Sequence, residues 1–273
     1  MKLPMHLTAF FHEENIDTFA VIGTASLPET DRWDVLQFFP AARSVIVFGK
    51  EVPAAVYRLP AKEKTREMVR IAEYLDAAAV RLAGILNREN IPAKPVPLYL
   101  PVKVTEGKLQ GMVRLKHVAA AGGLGSLGKS SVLLSPRFGP RLLLSGVVIG
   151  LALEKFSPED RVGPEMGFEN LCTGCERCIR ACPGNAIGPE GVEAFRCRSL
   201  RAWIPPPLVP VAKWLIGRTF LQGAAAPLAP HLARLGTIRC SLCVTECPTF
   251  SGKEGNTGSV EGDAGKRMPR KPG

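Results

Sequence analysis

Eight cysteines carry the first chemical signal, and all fall between Cys172 and Cys247 of a 273-residue chain. The run CTGCERCIRACP places Cys172, Cys175, Cys178, Cys182 and then Pro183 in C-x-x-C-x-x-C-x-x-x-C-P order. Bacterial ferredoxins use that spacing: three cysteines on one loop hold three irons of a [4Fe–4S] cubane, and the fourth ligates the other cluster. CSLCVTECP repeats the second half with Cys240, Cys243, Cys247 and Pro248. It is one ligand short, and Cys197 is the cysteine left to supply it. The partition then closes. Cluster one takes Cys172, Cys175, Cys178 and the distant Cys247; cluster two takes Cys240, Cys243, Cys182 and Cys197. Zinc also binds C-x-x-C pairs, but two zinc sites leave the C-P run and its crossover unexplained. Clustered cysteines in a reducing compartment bind metal rather than pair as disulfides. Two neighbouring clusters conduct electrons; what they feed must lie elsewhere in the chain.

A second motif, AAAGGLGSLGKSS (Ala119–Ser131), matches G-x-x-x-x-G-K-S from Gly123 to Ser130. A phosphate-binding loop needs a strand before it, a helix opening at the Gly-Lys-Ser and a magnesium-holding Asp elsewhere. Here RLKHVAAA ahead of the loop has helical character, and SSVLLSPRFGP behind it is apolar, β-branched and soon broken by Pro136. The expected order is helix, glycine loop, strand, the reverse of a P-loop, and nucleotide hydrolysis is not expected.

The elements that must position these residues read as follows. FAVIG (Phe19–Gly23) and SVIVFG (Ser44–Gly49) are short apolar runs ending in glycine, as buried strands do. From Lys62 to Asn90, Met68, Ile71, Ala72, Leu75, Ala79, Leu82 and Leu86 recur at three and four, which predicts one long helix, stopped by IPAKP. SVLLS (Ser131–Ser135) and RLLLSGVVIG (Arg141–Gly150) read as two strands joined through PRFGP in a hairpin-like connection. Residues 1–158 thus form one domain, 159–250 a cysteine-bearing domain, and 251–273, rich in glycine and charge without apolar periodicity, a disordered tail.

Composition bounds the setting. The chain is 46% hydrophobic and 22% charged, with a net charge of +10. That excess attracts nucleic acid, anionic lipid or acidic proteins. The first residues lack a signal-peptide core, and the most continuous apolar segment, RLLLSGVVIGLALEKF, falls short of the roughly 18 residues that span a bilayer. A cytoplasmic protein without a transmembrane segment is expected.

Taken in order, RSVIVFG, the long helix, GGLGSLGKSSVLLSPRFGPRLLL and the eight-cysteine module resemble the epoxyqueuosine reductases and their distant relatives, the reductive dehalogenases. The resemblance covers roughly residues 15–250. It implies an α+β fold, with a nitroreductase-like N-terminal domain that binds base-off cobalamin, followed by a bacterial-ferredoxin-like module with two [4Fe–4S] clusters. Electrons pass through the clusters to cobalt, and a small donor such as ferredoxin or flavodoxin supplies them. The family's G-L-G-x-x-G-K maps onto Gly123, Leu124, Gly125, Gly128 and Lys129. The glycines let backbone approach a large flat ligand, or else make a tight helix-to-strand turn. Lys129 pairs with the cofactor, with an acidic residue, or with water.

The sequence departs from that pattern in three places. The family's proton-donating Asp would fall in Leu109–Val118, which holds no carboxylate; Glu106 and His117 are the nearest candidates, and His117 is also readable as a packed helix residue. The helical-repeat extension that helps grip tRNA has no counterpart, so a tRNA partner rests on basic charge alone. The segment between Cys197 and Cys240 is long, apolar and proline-rich, with Trp203 and Trp214. It is either a cap that shields cluster two from water or a docking surface for a membrane or partner. Two functions therefore stand: a corrinoid-dependent iron–sulfur reductase, or a non-catalytic electron-transfer or corrinoid-activating protein without a tRNA substrate.

Overall fold

The computed structural model describes residues 3–105, 108–156, 170–188, 191–201, 204, 206–216, 218, 222–223, 226–229, 231, 234 and 237–251. Glu106, Trp203 and the 252–273 part of the tail lie outside them. The N-terminal half runs α1 (Leu3–Glu13), β1 (Thr18–Gly23), α2 (Glu29–Phe38), β2 (Ser44–Glu51), α3 (Ala54–Arg58), α4 (Ala61–Arg88) and β3 (Ala93–Pro95). It continues through β4 (Val102–Thr105), β5 (Lys108–Gly111), α5 (Leu115–Ala121), β6 (Ser126–Leu127), β7 (Leu133–Leu134) and β8 (Leu142–Ile149).

The central sheet has strand order β1-β2-β8-β3, with every pair antiparallel. Its side chains alternate between two cores, as the two-residue strand period requires. Val21, Ile46 and Val147 stand in register across three strands and face one core. Ile22, Val45 and Val148, one residue along, face the other. The first core is closed by the α4 stripe Met68, Ile71, Leu75, Ala79, Leu82 and Leu86, and by Leu7 and Phe11 of α1. Phe11 stacks on Phe19 and Phe48 at centroid distances of 4.4 and 5.0 Å. The second is closed by Val35 and Phe38 of α2 and by Val118 and Ala119 of α5. Burial on both faces explains why these strands read as continuous apolar runs rather than alternating ones.

Both predicted strands and the long helix occur where the periodicity puts them. The helix ends at Arg88, and Asn90 turns the chain with φ 61°. The hairpin expected through PRFGP does not form. β8 pairs with β2 and β3, whereas the preceding segment contributes only the two-residue β7, paired with β6. Between them Ser135 and Gly139 make one closed bridge, N–H to carbonyl both ways at 2.9 and 2.8 Å. The reason is burial: β8 is apolar on both faces and requires a central position, which a hairpin with a two-residue partner cannot provide.

The cysteine-bearing part is built from short pieces. They are α6 (Arg177–Arg180), β9 (Ile187–Gly188), β10 (Gly191–Val192), α7 (Arg198–Arg201), α8 (Val209–Ile216) and α9 (Leu242–Thr245). Among the described residues no helix is long and apolar enough to cross a membrane.

Candidate functional site

The two cysteine runs adopt the same local fold. In the first, Ile179 N and Arg180 N donate to Glu176 O, and Cys182 N to Ile179 O. In the second, Val244 N and Thr245 N donate to Ser241 O, and Cys247 N to Val244 O. Each run is thus a single helical turn between cysteines four apart, and α6 packs on α9. Left-handed Gly174 (φ 71°) and Glu176 (φ 60°) turn the backbone of the Cys172–Cys178 loop. None of the eight cysteines is in a disulfide.

Backbone contacts draw the remaining thiols in. A Cβ on Gly184 would lie 2.2 Å from the Arg196 carbonyl, so the turn after Cys182 rests directly on the chain entering Cys197. Ser199 Oγ then bridges to Cys240, donating to its carbonyl at 3.2 Å and accepting from its N–H at 3.1 Å. The electrostatics sort in the same way. Burial pushes the Cys178 thiol up, and the neighbouring Cys172 and Cys247 add to it. Burial pushes the Cys243 thiol up to about 11, with Cys240, Cys197 and Cys182 adding and then the more distant Cys178. Cys175, exposed, is held low chiefly by the Arg177 N–H. Ala186 N donates to Cys182 Sγ at 3.3 Å, the kind of bond that tunes a bound cluster's potential. Among the described residues no three His, Cys, Asp or Glu groups stand close enough together to hold a single metal ion.

The glycine block lies against this region. It is helix, loop and strand, with no helix opening at Lys129. Gly125 has φ 152°, and a Cβ there would sit 2.1 Å from the Leu134 carbonyl. Gly128 faces the Leu134 side chain at 3.3 Å. Both glycines therefore have a packing reason of their own, the tight return of the loop onto β7; Gly123 (φ 90°) makes the turn out of α5. Lys129 Nζ pairs with Glu176 Oε1 at 2.8 Å, within the cysteine loop, and this bond raises the lysine's pKa and lowers the glutamate's. Ser126 Oγ accepts from Leu171 N at 3.0 Å beside it. On the other side Arg141 Nε donates to Phe250 O at 2.6 Å, just past Cys247.

Two further groups feel the charge of Cys243. Tyr57 of α3, edge-on to the Phe250 ring at 5.4 Å, has its phenol pushed up to about 12, mostly by burial, with Arg141 opposing and Cys243 adding. Lys116 of α5 donates to Ser131 O at 2.5 Å. Water reaches its side chain, yet it is walled in closely enough that desolvation lowers its pKa, with Cys243 acting against that shift. Cys243 thus enters the electrostatics of one residue from α3 and one from α5.

The structure also assembles a charged cluster that the motif search missed. Asp31 and Asp34 of α2 are buried on the same stripe as Val35 and Phe38. Arg114 Nε lies 2.8 Å from Asp31 Oδ1 and 3.5 Å from Asp34 Oδ2, and Lys103 pairs with Asp34. The Arg114–Asp31 approach is a charge contact without hydrogen-bond alignment, since neither atom has a hydrogen-bond partner among the described residues. His117 Nδ1 is 3.8 Å from Asp31 Oδ2, and burial lowers its pKa against the pull of that carboxylate. His117 is therefore part of a buried charge network joining α2 to α5. Two acids at i and i+3 on an otherwise apolar stripe were the available signal.

The long segment between Cys197 and Cys240 is pinned by polar contacts. Gln222 is buried against β4, accepting from Val102 N at 2.6 Å and donating to Val102 O at 2.7 Å. Arg234 forms a two-bond fork with Glu73 of α4, at 2.9 and 3.0 Å. An open cleft of about 610 Å³ separates this segment from the turn at Pro183–Asn185 and is lined by Glu193, Phe195, Arg196 and Lys213.

Fold and cysteine geometry together define an α+β protein with a ferredoxin-type iron–sulfur motif; the 4Fe-4S binding domain family matches residues 168–188, which include Cys172, Cys175, Cys178 and Cys182. Within that class the chain resembles epoxyqueuosine reductase. It is 22% identical over 222 residues to the Bacillus subtilis epoxyqueuosine reductase, covering 79% of this chain and 49% of that protein. A tetrachloroethene reductive dehalogenase of Sulfurospirillum multivorans is 33% identical over 82 residues, 30% of this chain and 15% of that one. The Streptococcus thermophilus epoxyqueuosine reductase structure superposes with a TM-score of 0.55 at 17% identity, over 92% of this chain and 67% of that one. A further epoxyqueuosine reductase structure, with a tRNA-Tyr epoxyqueuosine-modified tRNA stem loop, gives 0.56 at 18% identity, over 92% and 66%. The chain thus spans about half the length of the Bacillus relative.

Proposed function

We propose that this chain is an iron–sulfur oxidoreductase of the epoxyqueuosine reductase type, in which two [4Fe–4S] clusters feed a corrinoid held by a nitroreductase-like N-terminal domain. The observation that carries the reading is the pair of cysteine runs with the same helical turn, packed on one another, the first of them within the matched 4Fe-4S binding domain; the thiol electrostatics, in which Cys172 and Cys247 act on Cys178 and Cys240, Cys197, Cys182 and Cys178 act on Cys243, agree with it. Cys175 completes the first set. The domain limits proposed with it are 1–158 and 159–250, with 251–273 as a tail.

The residues that would hold a corrinoid are those of the Gly123–Lys129 loop, with Lys116, bonded to Ser131 O, as the adjacent cation; within the loop Gly125 and Gly128 already pack on Leu134 and Lys129 on Glu176. When bound, such a cofactor supplies a strongly reducing metal centre, and that chemistry is its own. The chain's part is narrower. Its thiolates carry the clusters, and the Lys129–Glu176 and Arg141–Phe250 contacts tie the cluster loops to the N-terminal half. Reduced ferredoxin or flavodoxin is the proposed donor, the cytoplasm the proposed location, and tRNA the substrate class to test first, on the strength of the relatives and the +10 charge.

The test is anaerobic purification of the full chain with and without added cobalamin. About eight irons and eight labile sulfides per chain are expected, together with a shift of added cobalamin to its base-off absorption. A fully iron-loaded protein that leaves cobalamin unchanged would reduce the chain to the electron-carrier reading.

A further inference from the structure

From Ala194 to Thr245 the sequence contains no Asp or Glu, but six arginines and Lys213. The same stretch holds the most exposed aliphatic helix among the described residues. Leu208, Val211, Trp214 and Leu215 are 53, 53, 57 and 43% exposed, and Leu228 further along is 61% exposed. The first four fall at i, i+3, i+6 and i+7, a stripe about 120° wide along the turn Pro206–Leu208 and α8. The helix is not exposed by lack of anchorage. Gln222–Val102, Arg234–Glu73 and Ser199–Cys240 fasten the segment by its polar groups. Those pins turn the apolar stripe outward.

We infer that this face docks on an anionic lipid bilayer, lying in its surface without crossing it. Three features favour lipid over a protein occupant. The stripe is about half exposed at every position, whereas protein hot spots sit in well-packed pockets ringed by near-neutral contacts. It is mostly aliphatic, with one tryptophan whose ring carries Arg218 at 4.4 Å, so an aromatic body and a cation would meet the headgroup layer together. Finally, although Arg234 is taken up by Glu73, the segment contributes no acid and sets Arg218 at the stripe itself, which suits a negatively charged plane where each nearby cation adds to binding. The inference does not depend on cobalamin or on the identity of the substrate.

The experiment is flotation of the anaerobically purified, cluster-loaded full chain with vesicles of phosphatidylcholine alone or with 30 mol% (about one lipid in three) phosphatidylglycerol. Binding to the anionic vesicles is expected, weakened by salt, with little binding to the neutral ones. The triple variant Val211→Ser, Trp214→Ser and Leu215→Ser keeps every charge; iron and sulfide content reports whether it folds. It should lower the bound fraction at fixed lipid by at least about tenfold. In the unaltered chain, brominated lipid should quench tryptophan emission. Should the triple variant lose iron, Arg218→Gln replaces it, with a drop of about fivefold expected on anionic vesicles only. Absence of flotation at low salt would overturn the inference. So would undiminished flotation of the serine variant, which would trace binding to diffuse charge, or loss in that variant of binding to an acidic redox protein when vesicles bind neither form.

Discussion

Gly139→Ala should dismantle the seam between β8 and the second cysteine run. Gly139 has φ +56°, and an added Cβ would stand 1.9 Å from the Thr249 carbonyl oxygen. The left-handed backbone alone costs an alanine about 1–2 kcal/mol. The clash then has to be relieved, and backbone cannot swing aside as a side-chain end can. Thr249 lies two residues past Cys247, whose Sγ is 3.1 Å from its hydroxyl. Phe250, next along, accepts from Arg141 Nε at 2.6 Å and packs edge-on against Tyr57. Moving it forfeits a charge-assisted hydrogen bond worth about 1.5–3 kcal/mol. The sum is about 3–5 kcal/mol, enough to lower the thermal midpoint by roughly 10 °C. Because the displaced chain carries Cys247, one cluster should be lost preferentially, and iron should fall from about eight towards four per chain. Gly188→Ala, where nothing lies within 4 Å of the new Cβ, is the comparison. Thermal melts and iron analysis of the two variants, side by side, decide the matter. If Gly139→Ala melts within about 0.5 kcal/mol of Gly188→Ala and keeps its iron, the seam is not where this reasoning puts it.

Cys197→Ala should remove one cluster and spare the other, halving the iron and leaving one paramagnetic signal after reduction; full iron with both signals would disprove the crossover assignment. Asp34→Asn should cost about 3 kcal/mol in chemical denaturation, because Lys103 and Arg114 are left facing a neutral amide in a buried site; a change under about 0.5 kcal/mol would mean the network is solvated. The His117 pKa is lowered in the folded state by burial, with Arg114 and Lys116 adding and Asp31 and Asp34 opposing. Its neutral form is therefore favoured by folding, so its contribution is complete above the ordinary histidine range and declines as pH falls through it. His117→Gln should flatten that part of the stability–pH profile, and an unchanged slope between about pH 7 and 5 would refute the sign.

Signals that are local in the chain were legible without a structure. A strand buried on both faces must be apolar throughout, so Phe19–Gly23 and Ser44–Gly49 declared themselves, and α4 did so through its repeat of three and four. Thiolate spacing is likewise local, because a cubane accepts only certain reaches between neighbouring ligands. The rejection of the P-loop rested on the same ground: the order helix, loop, strand is written in residue types along one stretch. What the chain does not write locally is which distant segments meet. PRFGP has the composition of a hairpin turn, yet β8 pairs with β2 and β3, since an eight-residue strand gains more from a central place than from a two-residue neighbour. Gly125 reads as room for a ligand until the Leu134 carbonyl is found 2.1 Å from where its Cβ would be. Asp31 and Asp34 look like ordinary helix-start acids, and only packing reveals that Arg114 and Lys103 reach them from 69 to 83 residues away. Tyr57 carries no motif at all. Its burial beside the Phe250 ring depends on how α3 packs against the chain past Cys247, and burial across such distances is set by the folded whole.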